Sequence, residues 1–142
     1  MNIRAFRRED ASAVYRMIEE TEELHVCGLH YSEKAVRNWH IDRKNDVILV
    51  AEEDDTIVGF ILAIVNQPEP ECAIIENIAI TPKCRGRKIG SQLLSECFRR
   101  LKLRKVSFVS INVKADLARS ISFWKKHEFK GDELYLWMYR EI

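Results

Sequence analysis

The sequence predicts an α/β fold built on a mixed β-sheet. Short runs rich in β-branched residues alternate with amphipathic helical segments along the chain. Two of these runs, Val47–Ala51 and Thr56–Val65, are separated by four acidic residues only, which predicts an antiparallel hairpin. Later runs are separated by helical segments, which predicts crossover connections. The sheet should therefore contain both antiparallel and parallel pairs.

The first half of the chain reads as a strand, two helices and the hairpin. Asn2–Phe6 is a short mixed run that predicts the first strand. Apolar residues then recur at helical spacing from Ala11 to Ile18, after two acids that suit a helix N-terminus. Ser32 is placed to cap a second helix, in which Val36 and Trp39 share one face.

The second half predicts three strands and two helices. The run Ala73–Ile80 ends at Thr81-Pro82, and proline ends strands because it cannot donate a ladder hydrogen bond. Ile89–Leu101 is the clearest amphipathic helix. Val106–Val113 predicts a central strand, Leu117–His127 a helix and Leu134–Tyr139 a last strand.

Length and composition predict one globular domain over residues 1–142. Hydrophobic residues make up 46% and charged residues 32% of the chain, which excludes disordered and collagen-like classes. The longest apolar run, Ile57–Val65, is shorter than the roughly 20 residues of a membrane span. No basic stretch followed by an apolar core opens the chain. We therefore expect a soluble, cytoplasmic protein with no membrane partner.

The charges are unevenly distributed although the formal net charge is only +1. Lys83–Lys105 contains nine basic residues against the single acid Glu96, whereas Ala51–Glu76 contains seven acids and no Lys or Arg. One concentrated basic segment in a near-neutral protein favours a compact polyanionic ligand, such as a nucleotide phosphate. A nucleic-acid-binding domain is a weaker alternative, and we expect no nucleic-acid partner.

Neither the cysteines nor the histidines indicate a metal site or disulfides. The four cysteines, at 27, 72, 84 and 97, show no C-x-x-C spacing, so we expect reduced thiols. His25, Cys27 and His30 form H-x-C-x-x-H, but a fourth ligand at metal spacing is lacking. We expect no bound metal.

The segment from Ile74 to Ser91 is a strand, a glycine-bearing loop and a helix N-terminus, which together predict an anion site. Amide groups in a first helical turn point at one spot, and Gly86 and Gly90 let the backbone approach a phosphate. Arg85, Arg87 and Lys88 add cationic donors. The spacing matches neither the P-loop nor the dinucleotide-binding motif.

Arg85–Gly90 closely resembles the acetyl-CoA signature [Q/R]-x-x-G-x-[G/A] of the GNAT superfamily of N-acetyltransferases. The resemblance extends over the chain, from Ile3-Arg4 through Val58-Gly59 and Thr81-Pro82 to Phe129. It implies a mostly antiparallel central sheet of six to seven strands flanked by about four helices. It also implies direct transfer of an acetyl group from acetyl-CoA to an amine in a ternary complex.

By this resemblance, the backbone of the strand at Ile78, Ala79 and Ile80 contacts the pantetheine arm, and an amide there, that of Ile78, holds the oxyanion. The pyrophosphate lies on the loop and first helical turn, formed by Arg85, Gly86, Arg87, Lys88, Ile89, Gly90 and Ser91. Glu76 is the candidate base, because in a regular strand it shares a face with Ile78 and Ile80. The alternative is a solvated or paired surface glutamate.

The sequence departs from the family pattern at three positions. Lys88 stands where the signature prefers glycine, and it supplies a cation beside the diphosphate. Trp124 stands where many members carry the tyrosine that protonates the departing thiolate; we expect it to contact the cofactor or to be a core aromatic, since indole is no acid. Asn112 replaces a glutamate found in enzymes that act on protein N-termini. A CoA-binding regulatory module with impaired catalysis is therefore the alternative function.

The resemblance implies the segments that recognise the acceptor but not its identity. They are Glu19–His40 and Lys130–Tyr139, which contain several aromatic residues. A protein N-terminus, a lysine and a small-molecule amine all remain open as acceptors. Pairing of the last strands, as in other members, makes a homodimer the expected assembly if the chain is not a monomer.

Overall fold

Two structural units divide the chain in the computed structural model, Met1–Ile111 and Asn112–Ile142. The structure describes residues 1–24, 30–66, 71–131, 134, 136, 138, 140 and 142. The first unit contains the sheet and three helices, and the second contains one helix. Each unit is described by itself below.

The sheet of the first unit has five strands among the described residues, arranged in chain order. They are β1 Asn2–Ala5, β2 Val47–Glu53, β3 Thr56–Val65, β4 Cys72–Ile80 and β5 Phe108–Ile111. Neighbours from β1 to β4 pair antiparallel, and β4 pairs with β5 in parallel. The predicted α/β fold with a mixed, mostly antiparallel sheet is confirmed.

Four α-helices are present in the described residues, as expected. In the first unit these are α1 Ala11–Glu20, α2 Glu33–Asp42 and α3 Ile89–Leu103, and the second unit contains α4 Ala118–Lys126. The predicted cap of α2 is confirmed, because the Ala35 N–H donates to the Ser32 hydroxyl at 3.1 Å. No described helix combines the length and apolarity that a membrane crossing requires.

Helices cover both faces of the sheet. On one face, α1 and α2 pack with Phe60, Leu62 and Ala79 in a hydrophobic cluster. The helix α3 lies on the other face, where a Cβ added to Gly59 would come within 3.2 Å of the Leu93 side chain. The middle strands β2 and β3 are therefore buried on both sides, which explains why their sequences are continuously apolar rather than alternating.

The described residues form five strands rather than the expected six to seven. The predicted strand Val106–Val113 is shorter, at Phe108–Ile111, which are the four residues that pair in parallel with Cys72–Ile75 of β4. Part of the predicted strand Leu134–Tyr139 lies outside the described residues. The described ones, Leu134, Leu136 and Met138, have no regular secondary structure and are at least 80% exposed.

The turn between β2 and β3 confirms the predicted hairpin. Asp54 and Asp55 link the strands and have φ values of 48° and 57°, which suit a two-residue type I′ turn. Aspartate tolerates this left-handed region better than most residues. Glu52 and Glu53, which the sequence assigned to the turn, belong instead to β2.

A nearly buried ion cluster fixes the N-terminal strand to the rest of the sheet. The Arg4 guanidinium donates to both Asp10 oxygens at 2.8 and 2.9 Å and to both Glu52 oxygens at 2.9 and 3.0 Å. Asp10 is 6% exposed and also accepts the Arg7 N–H at 2.7 Å. The Arg4 hydrogen bond lowers the pKa of Glu52. The cluster joins β1, β2 and the start of α1.

Replacement of Arg4 by methionine tests this cluster. Arg4→Met leaves the Asp10 carboxylate buried without its counter-charge, so we expect a loss of about 3 kcal/mol in unfolding free energy. Arg16→Met, at an exposed position on α1, should change it by less than about 0.5 kcal/mol. Urea unfolding followed by circular dichroism measures both. Equal stability of the two variants would contradict a structural role for the cluster.

Candidate functional site

A one-residue bulge interrupts β4 at Glu76. Leu62 pairs with Asn77 and the next β3 residue, Ala63, pairs with Ile75, so Glu76 has no partner on β3. Successive side chains of a strand point to opposite faces of the sheet. One extra residue therefore exchanges the faces on which odd-numbered and even-numbered residues of β4 lie after the bulge. Ile75 therefore lies on the α3 face, and Asn77 and Ala79 lie on the face of α1 and α2.

Beyond the bulge, β4 has one free side. Its pairing with β5 covers Cys72–Ile75 only, and no strand of the described chain pairs with the other side of residues 76–80. We call residues 77–80, which follow the bulge, the open edge. The Thr81 N–H donates to the Val58 carbonyl at 2.9 Å. Because residues of an antiparallel strand alternate between facing the partner strand and facing away from it, this bond determines which β4 residues face β3. The peptide groups of Ile78 and Ile80 consequently point away from β3, toward the open edge.

Glu76 does not share a face with Ile78 and Ile80, contrary to the sequence interpretation. Tyr31 packs against the cluster of α1 and α2, and its hydroxyl lies near the Glu76 carboxylate. Burial and this carboxylate raise the pKa of Tyr31. Glu76 is thus an exposed carboxylate on the α1 and α2 face, next to the open edge. A regular strand was assumed, and the bulge makes that assumption wrong.

Aromatic and charged residues form a groove beside Tyr31. The Tyr31 ring meets Trp39 edge-on, with centroids 5.2 Å apart, and the Arg43 guanidinium lies 6.0 Å from the Tyr31 centroid. Arg43 also pairs with Asp46 at 3.3 Å. The groove has a volume of about 320 Å³ and is lined by Tyr31, Ala35, Trp39, Asp42, Arg43 and Asp46.

Ala79 differs from its two strand neighbours. Its peptide groups face β3, by the same alternation that turns Ile78 and Ile80 outward, and its side chain is 5% exposed within the apolar cluster. It therefore cannot present backbone groups at the open edge, as the sequence interpretation assumed.

The loop before α3 has two left-handed residues. Gly86 has a φ of 79°, and Lys88, the residue that precedes α3, has a φ of 64°. The Lys88 side chain makes no capping bond to α3, and the first helical hydrogen bond runs from the Gln92 N–H to the Lys88 carbonyl at 3.1 Å. The N–H groups of Ile89, Gly90 and Ser91 precede that bond. This arrangement, at the N-terminus of a 15-residue helix, suits an anion.

Two of the three loop cations already have partners. Arg87 makes a bidentate pair with Glu53 at 2.7 and 2.9 Å, and Arg85 donates through Nε to the Ile80 carbonyl at 3.2 Å. The Arg87 hydrogen bond lowers the pKa of Glu53. Lys88 is exposed, and its ammonium has no hydrogen-bond or ion-pair partner among the described residues. Arg85 and Arg87 therefore hold the loop against the sheet, while Lys88 points its charge to solvent.

Glu53 was missed by the sequence interpretation, which placed it in a solvated turn. The only sequence signal for a role of Glu53 was that the acidic segment and the basic loop have opposite charges. This signal does not identify which two residues form the ion pair. Three further arginines of the basic segment are also engaged within the fold. Arg99 and Arg100 bind Glu96, and Arg104 donates to two backbone carbonyls after α2.

The thiols and histidines add no further site. Cys72, Cys84 and Cys97 are free, and burial raises the pKa of Cys97 to about 12. His25 and Cys27 of the H-x-C-x-x-H pattern lie outside the described residues. Across the ranges that the structure describes, no group of three or more histidine, cysteine or acidic side chains is arranged to hold a metal.

Comparison with known proteins identifies the family. Residues 11–129 match the family model described as "Acetyltransferase (GNAT) family". The chain belongs to the GNAT acetyltransferase family. The match covers both structural units and includes the bulged strand, the loop and α3.

Individual GNAT relatives are distant. The L-2,4-diaminobutyric acid acetyltransferase of Virgibacillus pantothenticus is 24% identical over 106 residues, which are 75% of this chain and 64% of that protein. The chain spans less than two thirds of the length of the curated relatives named as diaminobutyrate acetyltransferases.

Solved GNAT structures share the fold. The ribosomal-protein-alanine N-acetyltransferase from Brucella melitensis has a TM-score of 0.78 and 22% identity, covering 92% of this chain and 85% of its own. Diaminobutyrate acetyltransferase EctA from Paenibacillus lautus, solved with L-2,4-diaminobutyric acid and coenzyme A, has a TM-score of 0.77 and 22% identity, covering 89% and 73%. At this identity the likeness shows the fold alone.

Trp124, the remaining candidate, lies in the C-terminal unit on α4. It is 6% exposed, and its ring centroid lies 5.0 Å from those of Phe123 and Phe129. The Phe129 N–H donates to the Trp124 carbonyl at 3.1 Å, which closes the end of the helix. These contacts support the interpretation as a core aromatic of its unit, and its role in cofactor binding stays a prediction.

The left-handed conformation of Lys88 can be tested with two variants. Lys88→Gly and Lys88→Ala remove the same charge, but only glycine adopts a φ of 64° without a Cβ penalty. We therefore expect Lys88→Gly to be more stable than Lys88→Ala by about 1 kcal/mol. Urea midpoints of the two purified variants measure this difference. Equal midpoints would show that the loop does not hold this conformation in solution.

Proposed function

We propose that the protein is an acetyl-CoA-dependent N-acetyltransferase that transfers an acetyl group to a primary amine by direct attack. The observation that carries this proposal is the open edge of β4. It exposes the peptide groups of Ile78 and Ile80 on the strand that leads directly into the loop and N-terminus of α3. One extended ligand with an amide-bearing arm and a diphosphate would match both parts.

The residues fit acetyl-CoA in chemistry. The outward carbonyl of Ile78 and N–H of Ile80 are suited to pair with the amide groups of a pantetheine arm, as an added strand would. The Ile80 carbonyl already accepts from Arg85, so Ile80 would contribute its N–H. The N–H groups at positions 86–91 and the Lys88 ammonium would hold the diphosphate. When bound, acetyl-CoA supplies the acetyl group as an activated thioester.

A base is needed because an alkyl ammonium, with a pKa of about 10.4, cannot attack a carbonyl carbon. Glu76 is the proposed base. It is exposed on the α1 and α2 face and is one residue from the open edge, so it can take a proton from an amine that arrives over that face. The Ile78 N–H is the proposed donor to the acyl oxygen, where negative charge develops during attack.

No tyrosine acid is required for the leaving group. A thiol has a pKa of about 8.5, so the departing thiolate is stable enough to leave unassisted. The indole of Trp124 has no acidic proton in the working pH range. We therefore propose that the thiolate takes its proton from the amine or from solvent.

The groove beside Tyr31 supports a small cationic amine as the acceptor. Arg43 already pairs with Asp46 and lies over the rings of Tyr31 and Trp39, so the attraction for an ammonium group comes from the Asp42 carboxylate, and Tyr31 connects the groove to Glu76. The relatives named as diaminobutyrate acetyltransferases are consistent with such an acceptor. Protein N-termini are a second candidate, since the Brucella neighbour is named for that reaction. A cytoplasmic location, where acetyl-CoA is available, belongs to the same proposal.

Calorimetric titration with acetyl-CoA, followed by thiol release, tests the function. We expect micromolar binding and release with at least one class in a panel of L-2,4-diaminobutyrate, N-terminal alanyl peptides and lysine peptides. Binding without release from any amine would favour the regulatory module. Absence of binding would contradict the assignment of the open edge and the loop.

Substitution of Glu76 tests the base. Glu76→Gln keeps the size of the side chain but cannot accept the proton, so we expect kcat/KM to fall by about 10²- to 10⁴-fold. The affinity for acetyl-CoA should not change. Glu71→Gln, at an exposed position just before β4, is the matched control and should behave as the parent. Parental turnover in Glu76→Gln would exclude Glu76 as the base.

A further inference from the structure

Asn77 contains the single buried side-chain oxygen or nitrogen atom without a hydrogen-bond partner in the described part of the chain. The residue is 6% exposed, and the atom is its Oδ1. Its neighbours on the same face, Leu62 and Ala79, are apolar members of the α1 and α2 cluster. An amide oxygen in this position destabilises the folded protein, because each buried acceptor without a donor costs about 1–3 kcal/mol of unfolding free energy.

The fold does not require this cost, since an apolar side chain at position 77 would pack well against these neighbours. The oxygen can only be satisfied by a donor, and no described residue supplies one. An unexplained group of this kind at the edge of a site points to a ligand donor. The sequence interpretation had no signal for it, because an asparagine in a strand reads as a weak strand former.

The bulge places Asn77 beside the proposed base. Because Glu76 is the extra residue and reaches Tyr31, both Glu76 and Asn77 lie on the α1 and α2 face. Ile78 follows, with its N–H at the open edge. Three consecutive residues therefore present a carboxylate, an amide oxygen and a peptide donor at one corner of the sheet. The χ2 torsion of asparagine is soft, so Oδ1 can turn toward that corner without backbone movement.

We propose that Asn77 Oδ1 accepts a hydrogen bond from the nitrogen of the acceptor amine and orients it for attack. This inference rests on the proposed function. Of the three protons of a primary ammonium, one goes to Glu76 before attack. A second goes to the leaving thiolate after the N–C bond forms and the C–S bond breaks. The third remains as the N–H of the product amide, and Asn77 holds it throughout. The nitrogen lone pair is then left to face the acyl carbon at the open edge.

Replacement by leucine separates this role from a structural one. Asn77→Leu keeps the branching of the side chain and removes the unsatisfied oxygen. We expect its thermal midpoint to be equal to or above that of the parent. The acetyl-CoA affinity should be unchanged, while KM for the panel amine that turns over fastest should rise at least 10-fold. Gain of stability with loss of amine binding is the signature of a ligand-binding residue.

Two further variants keep the test informative. Asn77→Asp retains an acceptor oxygen and should recover most of the parental KM, whereas Asn77→Ala should not. If Asn77→Leu does not fold, this second pair carries the comparison. Asn66→Leu, at an exposed position after β3, is the control and should leave KM unchanged.

The failures are distinguishable. If the parent turns over an amine and Asn77→Leu has the same KM, Oδ1 holds only a structural water and the inference is wrong, while the proposed function stands. If Asn77→Leu weakens acetyl-CoA binding more than 3-fold, Asn77 belongs to the cofactor side and the inference is again wrong. If the parent neither binds acetyl-CoA nor acetylates any panel amine, the proposed function fails and the inference fails with it.

Discussion

The extra residue in β4 is the constraint on which the candidate site depends. A regular strand would continue to pair with β3 in one register and would keep odd-numbered residues on one face. The insertion of Glu76 shifts that register, so the peptide groups of Ile78 and Ile80 turn outward where pairing with β5 has ended. The same shift moves Asn77 to the face of α1 and α2, on which Glu76 also lies. The one extra residue therefore creates two neighbouring surfaces, an edge that is suited to a thioester and a face that is suited to an amine.

The loop before α3 is the second element of the site, and interactions with the sheet hold it in place. Arg87 is bound by Glu53 at the end of β2, and Arg85 is bound by the carbonyl of Ile80. Lys88 occupies a left-handed conformation, and its ammonium has no partner among the described residues. Two cations thus fix the geometry, and the third is available to a ligand. In the proposed site, the helix dipole and the amides of the first turn of α3 would supply the rest of the anion affinity.

Features of the fold and of the candidate site were predictable from sequence where they depend on residues close together in the chain. The Ser32 cap, the turn at Asp54–Asp55 and the amphipathic α3 depend on neighbours in the chain, and all three are confirmed. The bulge depends on the register between two strands, for which Glu76 itself gives no signal. The Glu53–Arg87 pair and the orphaned Asn77 oxygen join residues or faces that only the folded sheet brings into relation. The family resemblance points to the strand and the loop of the proposed site but not to these contacts.

The burial of β2 and β3 on both faces has a dynamic consequence. Amide protons in these strands can exchange with solvent only through opening events close to global unfolding, whereas one edge of β4 beyond the bulge lacks a covering strand in the described sheet. We therefore expect slow exchange in the centre of the sheet and faster exchange of the β4 amides that face away from β3, those of Ile78 and Ile80. A ligand that pairs with this edge would add the missing ladder and lengthen the exchange lifetimes of β4. Because the central strands are rigid, the open edge of β4 can change its pairing without loss of the fold.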